Sequence, residues 1–270
     1  MSRRGAVPAG SLLLVALVVA PRIAAAQPGA PINTDRPSFT SAPRVVDPRV
    51  VQIETGIVAG RDTSDDLTAT TLAAPDVLIR MGLHRRLELR VGTAGWIRQD
   101  SGRAGREATT SAADTSVALE YQISTQEGAG LDLALIGGTS VPTGGDASSG
   151  TVDPFARLVW NRALGGAASL GGTLNWSQPT VPGPSQRERL RTLEASLVLG
   201  HGLRGTWSAF WEAVGRHQDL DADATSWFAN AGVLKTFGGD WQADAWLGRG
   251  LNDTAADWAF GAGLSFRFRR

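Results

Sequence analysis

The C-terminal stretch Trp258-Ala259-Phe260-Gly261-Ala262-Gly263-Leu264-Ser265-Phe266-Arg267-Phe268 decides the fold. Trp258, Phe260, Ala262, Leu264, Phe266 and Phe268 are apolar and recur at every second residue. Ala259, Gly261, Gly263, Ser265 and Arg267 between them are small or polar. A strand sends successive side chains to opposite faces, so one face is aromatic and the other small and polar. Such alternation suits both a half-buried sandwich strand and the stave of a membrane barrel. The rest of the chain separates the two.

The N-terminus has the pattern of an export signal. Arg3 and Arg4 precede an apolar core over residues 11–20, and Ala24-Ala25-Ala26 offers a small-residue cleavage site before Gln27. The core is too short to span a bilayer as a helix, and Pro21 and Arg22 interrupt it. Residues 1–26 are therefore expected to be a signal peptide, and the absence of Cys excludes a lipid-anchored product as well as a disulfide framework. Its removal takes away Arg3, Arg4 and Arg22, so Lys+Arg falls from 26 to 23 against 26 Asp+Glu, a mature charge of about −3. That balance exerts no general pull on nucleic acid. No later stretch is apolar for the ~20 residues of a spanning helix, so any membrane span must be made of strands closed into a barrel.

Residues 27–48 contain Pro28, Pro31, Pro37, Pro43 and Pro48 and read as an extended periplasmic segment. From Arg49 the period-2 pattern recurs through residue 270. Val51, Ile53, Thr55 and Ile57 oppose Gln52, Glu54 and Gly56; Leu87, Leu89 and Val91 oppose Glu88, Arg90 and Gly92; Trp241, Ala243, Ala245 and Leu247 oppose Gln242 and Asp244. Counted this way, residues 49–270 make about 12 strands, and the expected fold is all-β: a transmembrane antiparallel up-and-down β-barrel. An even count returns both chain ends to one side.

The connections and the tryptophans exclude the sandwich. Short turns at 83–86, 126–130, 164–166, 203–205 and 237–239 alternate with longer polar loops at 60–67, 97–112, 143–151, 177–189, 217–223 and 250–255. Outer-membrane barrels alternate short periplasmic turns with long outer loops in this way. On this topology Trp96, Trp176, Trp227 and Trp258 fall at the outer rim, and Trp160, Trp207 and Trp241 at the periplasmic rim. These are the positions of two aromatic girdles. Trp211 falls mid-strand and Trp246 points inward, so neither joins a girdle.

Several segments resemble the outer-membrane family called "putative MetA-pathway of phenol degradation", whose members are often labelled transporters. They are Thr34-Asp35-Arg36-Pro37-Ser38-Phe39-Thr40, Val50-Val51-Gln52-Ile53-Glu54-Thr55-Gly56, residues 75–90 (PDVLIRMGLHRRLELR), Ser140-Val141-Pro142-Thr143-Gly144 and the closing strand over 261–268. The chain departs from the family pattern at His84-Arg85, where a Thr-Asp turn is usual, and in the trailing Arg269-Arg270. The resemblance implies a role in aromatic catabolism or transport and brings no catalytic residues with it.

The inward face carries Glu54, Arg80, Glu88, Arg90, Glu120, Asp132, Arg157, Glu194, Glu212, Asp244 and Arg267. Such charges either line a polar path or pair across the lumen and stiffen the wall. Asp35 and Arg36 are candidates to enter the mouth as a plug. Of the three histidines, His84 and His201 fall on the periplasmic side. His217 lies at the outer end of a strand near Asp219, Asp221 and Asp223, and is the one place where a hydrolase centre is conceivable against the plainer reading of a solvated acidic loop. Asp62, Asp65 and Asp66 read as solvated too, and Gly137-Gly138 and Gly144-Gly145 lack the Lys of a phosphate loop. No metal or cofactor is expected. The expected function is a non-enzymatic outer-membrane channel for small solutes, aromatic or hydrophobic ones included, with membrane lipid and the barrel-assembly machinery as partners. The alternatives are a structural barrel without transport and a hydrolase at His217.

Overall fold

The computed structural model describes residues 31–64, 67–102, 107–182, 186–219 and 224–269. The signal-peptide assignment, Asp65, Asp66, Asp221, Asp223 and Arg270 lie outside them. In chain order the strands are β1 (Val50–Ser64), β2 (Leu67–His84), β3 (Leu87–Thr93), β4 (Trp96–Gly102), β5 (Glu107–Ala112), β6 (Thr115–Ser124), β7 (Asp132–Val141), β8 (Asp153–Gly165) and β9 (Ala168–Ser177). They continue as β10 (Thr180–Pro182), β11 (Arg187–Arg189), β12 (Thr192–Gly202), β13 (Trp207–Gln218), β14 (Ala224–Phe237), β15 (Trp241–Gly250) and β16 (Trp258–Arg269). One helical turn, α1 (Gln126–Ala129), lies between β6 and β7. No helix among the described residues is long and apolar enough to cross a membrane.

Each stave pairs antiparallel with its neighbours in sequence, and β16 returns to β1 in register from Val50↔Arg269 to Arg61↔Trp258. The sheet is thus a closed barrel of 12 staves. Closure removes the unpaired edges that lipid does not tolerate. Two staves are each built from two strands. β3 pairs with the lower part of β2 and β4 with its upper part, and β5 and β6 make the next stave. The chain jogs at Ala94-Gly95, where Gly95 has φ +69° and a Cβ would lie 2.2 Å from the Pro75 carbonyl oxygen. Only glycine fits that turn.

The short turns lie at one end, called lower here. At the upper end the staves run further than their hydropathy suggests. β1 and β2 extend through the expected 60–67 loop, β4–β5 fills most of the expected 97–112 loop, and β10–β11 forms a small hairpin within 177–189. The ladder there is held by backbone hydrogen bonds. Its side chains are polar on both faces, Thr70 opposite Asp100 on one and Thr71 opposite Gln99 on the other, so the apolar alternation stops where the strands do not.

The outward face is an apolar band. Phe260, Leu264, Phe268, Leu119, Leu174, Leu197 and Trp211 are all exposed on it. Trp96, Trp176, Trp207, Trp227, Trp241 and Trp258 are exposed, with Trp160 half-buried. The interior is polar and tightly filled: Gln52, Glu54, Arg80, Glu88, Glu120 and Ser265 are fully buried. A small apolar cluster of Ala118, Ile136 and Val159, with Phe155 against it, is set into this interior.

What fills the lumen is the N-terminal segment. Ile32 donates its N–H to Gly239 O at the lower end, and Arg49 N–H meets Gly82 O as the chain leaves for β1. Between these points, residues 32–47 contact β1, β2, β3, β7, β8, β9, β12, β13 and β15. Partners on every side of the wall place the segment inside the barrel. The segment expected to extend away as a periplasmic lead-in over 27–48 therefore folds back into the lumen over 32–47. The cause is polar: its backbone amides find buried carboxylate acceptors there.

Candidate functional site

The lumen contents are organised around wall carboxylates that accept from the inner segment's backbone. Glu54 Oε2 accepts the N–H groups of Asp35 (2.9 Å) and Arg36 (3.0 Å). Glu212 accepts from Phe39 N (2.9 Å), Thr40 N (2.7 Å), Thr40 Oγ1 (2.7 Å) and Asn230 Nδ2 (3.2 Å). Glu88 Oε2 accepts Val46 N at 2.7 Å. Three acids from three strands thus grip the segment at its entrance, its tip and its exit. Bonds of this kind are among the stronger ones, because the acceptor is charged and solvent is excluded.

Two arginines from the wall complete the grip. Arg80, fully buried, donates to Glu88 (2.7 Å), Glu54 (3.3 Å) and the carbonyls of Asn33 (2.9 Å) and Arg44 (2.7 Å). Arg90 binds Asp35 and Glu120 and lies 3.4 Å from Glu88. Burial by itself would raise the Asp35 carboxyl, but Arg90, Arg80 and the Ala42 amide outweigh it and hold the group below its ordinary value. Removing one member of such a buried network strands its partner.

The segment contributes two arginines of its own. Arg36 bridges Asp76 (2.9 Å) and Asp244 (3.4 Å) across the lumen. It fits because Gly56 and Gly263 leave its guanidinium room; a Cβ on Gly263 would lie 2.2 Å from Arg36 Nε. Arg44 pairs with Asp132 at 2.9 Å, and Asp132 also accepts from Gln126. Beyond the segment, Arg216 pairs with Glu194 (2.7 Å), and Arg267 with Asp240 (2.8 Å) at the lower rim. Arg157 differs from all of these: its contacts are Ser41 Oγ (3.3 Å), Asn175 Oδ1 (3.4 Å) and the Phe155 ring (5.0 Å to the centroid).

The structure places the eleven inward-charge candidates in the lumen or at its rims, and Asp35 and Arg36 at the entrance of the inner segment, where Glu54 holds their amides. The residues the sequence reading passed over are Asp76, Arg44, Thr40, Ser41 and Phe39. Asp76 shares the inward face with Arg80, which was a usable signal. The other four lie in a Pro-rich stretch with no period to read. Trp246, read as inward, packs edge-on against Phe39 with ring centroids 5.7 Å apart.

The segment lies between cavities. Above it, three spaces of about 270, 300 and 390 Å³ all border Arg157. Below it, one of about 550 Å³ is lined by Asn33, Thr34, Ser169, His201 and Phe210. Such volumes suit small molecules. His84 is exposed at the lower turn. His217 is exposed at the upper rim, with Thr225 Oγ1 at 3.0 Å and Asp219 at 3.6 Å. Half-exposed groups of this sort lack the water-excluded setting that activates a nucleophile. Among the described residues no group of His, Cys, Asp and Glu is arranged to hold a metal ion.

The sequence pattern described as "Putative MetA-pathway of phenol degradation" matches residues 34–268. The chain belongs to that family. The match begins at Thr34, so the family pattern includes the inner segment and not only the staves. No curated protein matches the sequence. Among solved structures, the COG4313 outer membrane channel from Pseudomonas putida F1 is similar at 15% identity, covering 83% of this chain and 97% of that one, with a TM-score of 0.61. The NanC porin is similar at 10% identity, covering 80% and 98%, with a TM-score of 0.53. At these identities the family member shares with them an outer-membrane barrel fold.

Proposed function

We propose that this protein is an outer-membrane channel for small molecules, aromatic and hydrophobic ones among them, and that residues 32–47 close its lumen in the state described. The observation that carries the reading is the inner segment held by Glu54, Glu88 and Glu212 across a closed barrel, with cavities above and below it. The wall does pair acids with its own arginines, Arg80 with Glu54 and Glu88 and Arg90 with Glu120, but Glu54, Glu88 and Glu212 also hold the inner segment by its backbone, which stiffening the wall alone does not require. The two similar structures, named as an outer membrane channel and a porin, support the reading, as does the family's name. Export through a signal over residues 1–26 and insertion by the barrel-assembly machinery belong to the same proposal. It assigns no reaction to the protein.

Planar-bilayer recording tests it with the whole mature chain and a variant lacking residues 32–47. Slower gel migration after heating shows that each is a folded barrel. The expected result is small or infrequent conductance for the whole chain and several-fold larger conductance for the deletion. No conductance from either, together with normal uptake of aromatic solutes in a deletion strain, overturns it. The same occupied lumen also favours a purely structural barrel, and that outcome would establish it.

A further inference from the structure

The geometry points to an organic-anion site on the upper side of the inner segment, where Arg157 takes the carboxylate of a small flat acid whose apolar body packs against Phe39 and Trp246. Arg36, Arg44, Arg80, Arg90, Arg216 and Arg267 each lie within 4.0 Å of a carboxylate, and Arg157 has none among the described residues. The acids bordering the same cavities are already engaged. Asp76 holds Arg36, Glu54 holds Arg80, Asp35 holds Arg90 and Glu194 holds Arg216. Asp114 accepts the amides of Gly144 and Ser149. Among the described residues Arg157 is the cation of this space without a carboxylate within 4.0 Å, Asp35, Glu120 and Glu194 acting on it only from further away, and its own bonds, to Ser41 and Asn175, are long and made to neutral oxygens.

An arginine in a confined space is normally paired, because leaving the charge without a partner is costly. A cavity supplies the alternative: a ligand completes the pair. The planar guanidinium matches a carboxylate with two parallel hydrogen bonds. Beside these paired charges and a few hydroxyls, the lining includes an aromatic and aliphatic wall. Phe39, at the tip of the segment, is 41% exposed and backed by Trp246. Val58 and Leu78 border the same space, and Phe155 stacks under the guanidinium. Among the described residues the surroundings combine one arginine without a carboxylate within 4.0 Å, charges already paired with each other, and flat apolar surface from Phe39, Trp246 and Phe155, which describes an aromatic carboxylate better than a neutral phenol or a sugar. Ser41 belongs to the inner segment, so a ligand that draws Arg157 away from Ser41 Oγ also removes one of the segment's contacts.

The inference deepens the channel reading but rests on binding, which does not require conduction. Calorimetric titration of the folded full-length mature barrel in detergent tests it, with benzoate and benzyl alcohol as probes. Benzoate is expected to bind at least tenfold more tightly than benzyl alcohol. Arg157→Gln should weaken benzoate at least tenfold and leave benzyl alcohol unchanged, and Arg157→Lys, which keeps the charge but loses the paired N–H fork, should weaken benzoate by less than Arg157→Gln does. Equal binding of the two probes by the parent protein, or benzoate binding unaltered in both Arg157 variants, overturns it. Preferential benzoate binding by a barrel that conducts nothing would support this site while removing the channel reading. Conductance without benzoate preference would do the reverse.

Discussion

Gly263 carries no side chain on the inward face of β16, and Arg36 occupies the space a Cβ would take. The nearest atoms to that missing Cβ all belong to Arg36, which is itself fixed by Asp76 and Asp244. Gly263→Ala is therefore expected to push the guanidinium off its partners while leaving the strand intact. Losing a charge-assisted pair costs about 1.5–3 kcal/mol. The amides of Asp35 and Arg36, which donate to Glu54, should then exchange hydrogen roughly tenfold to a hundredfold faster, with β16 itself unchanged. Unaltered exchange at both amides would show that Arg36 does not anchor the segment. The small residues at 261 and 263 are plain in the sequence as one face of a strand. What they make room for, Trp246 at Gly261 and Arg36 at Gly263, is not, because Arg36 reaches Gly263 only once β1 and β16 have met.

At the scale of the element, residues 32–47 show why strands are legible and irregular segments are not. A stave declares itself by its alternation, since lipid on one side and the lumen on the other act on every second residue. The inner segment has no such period, and its docking is made largely through backbone amides, which every residue type but proline carries. The inward charges were legible as a set, with two uses left open. The structure shows the pairing use in a form the sequence does not express: Glu54, Glu88 and Glu212 hold backbone, and the wall arginines hold backbone and acids together. Glu212→Gln tests this docking. One acceptor oxygen becomes a donor facing the Phe39 and Thr40 amides, at a cost of about 2 kcal/mol. Exchange at Phe39 and Thr40 should quicken about thirtyfold by mass spectrometry, while Val46, held by Glu88, keeps its protection. Equal acceleration at all three would indicate loosening of the whole segment and not of its tip.

For the whole molecule, the closed wall sorts the tryptophans into two environments. Trp211 stands exposed on the outer face, mid-stave, and Trp246 is buried against Phe39 inside. In bilayers with brominated acyl chains, Trp211→Phe should lower the quenchable fraction of fluorescence and Trp246→Phe should raise it; the same change from both would contradict the assigned faces. The sequence by itself determined the architecture: the staves, their inward and outward faces, the alternating turns and the even strand count all follow from a period-2 pattern repeated along the chain. It determined these because each stave answers to its two solvents locally, whatever its neighbours are. Only the tertiary structure decided what the lumen contains. Bringing residues 32–47 against acids from distant strands, and leaving Arg157 with no carboxylate within 4.0 Å among the described residues, depends on closure of β16 onto β1. No local pattern records which groups that closure brings face to face.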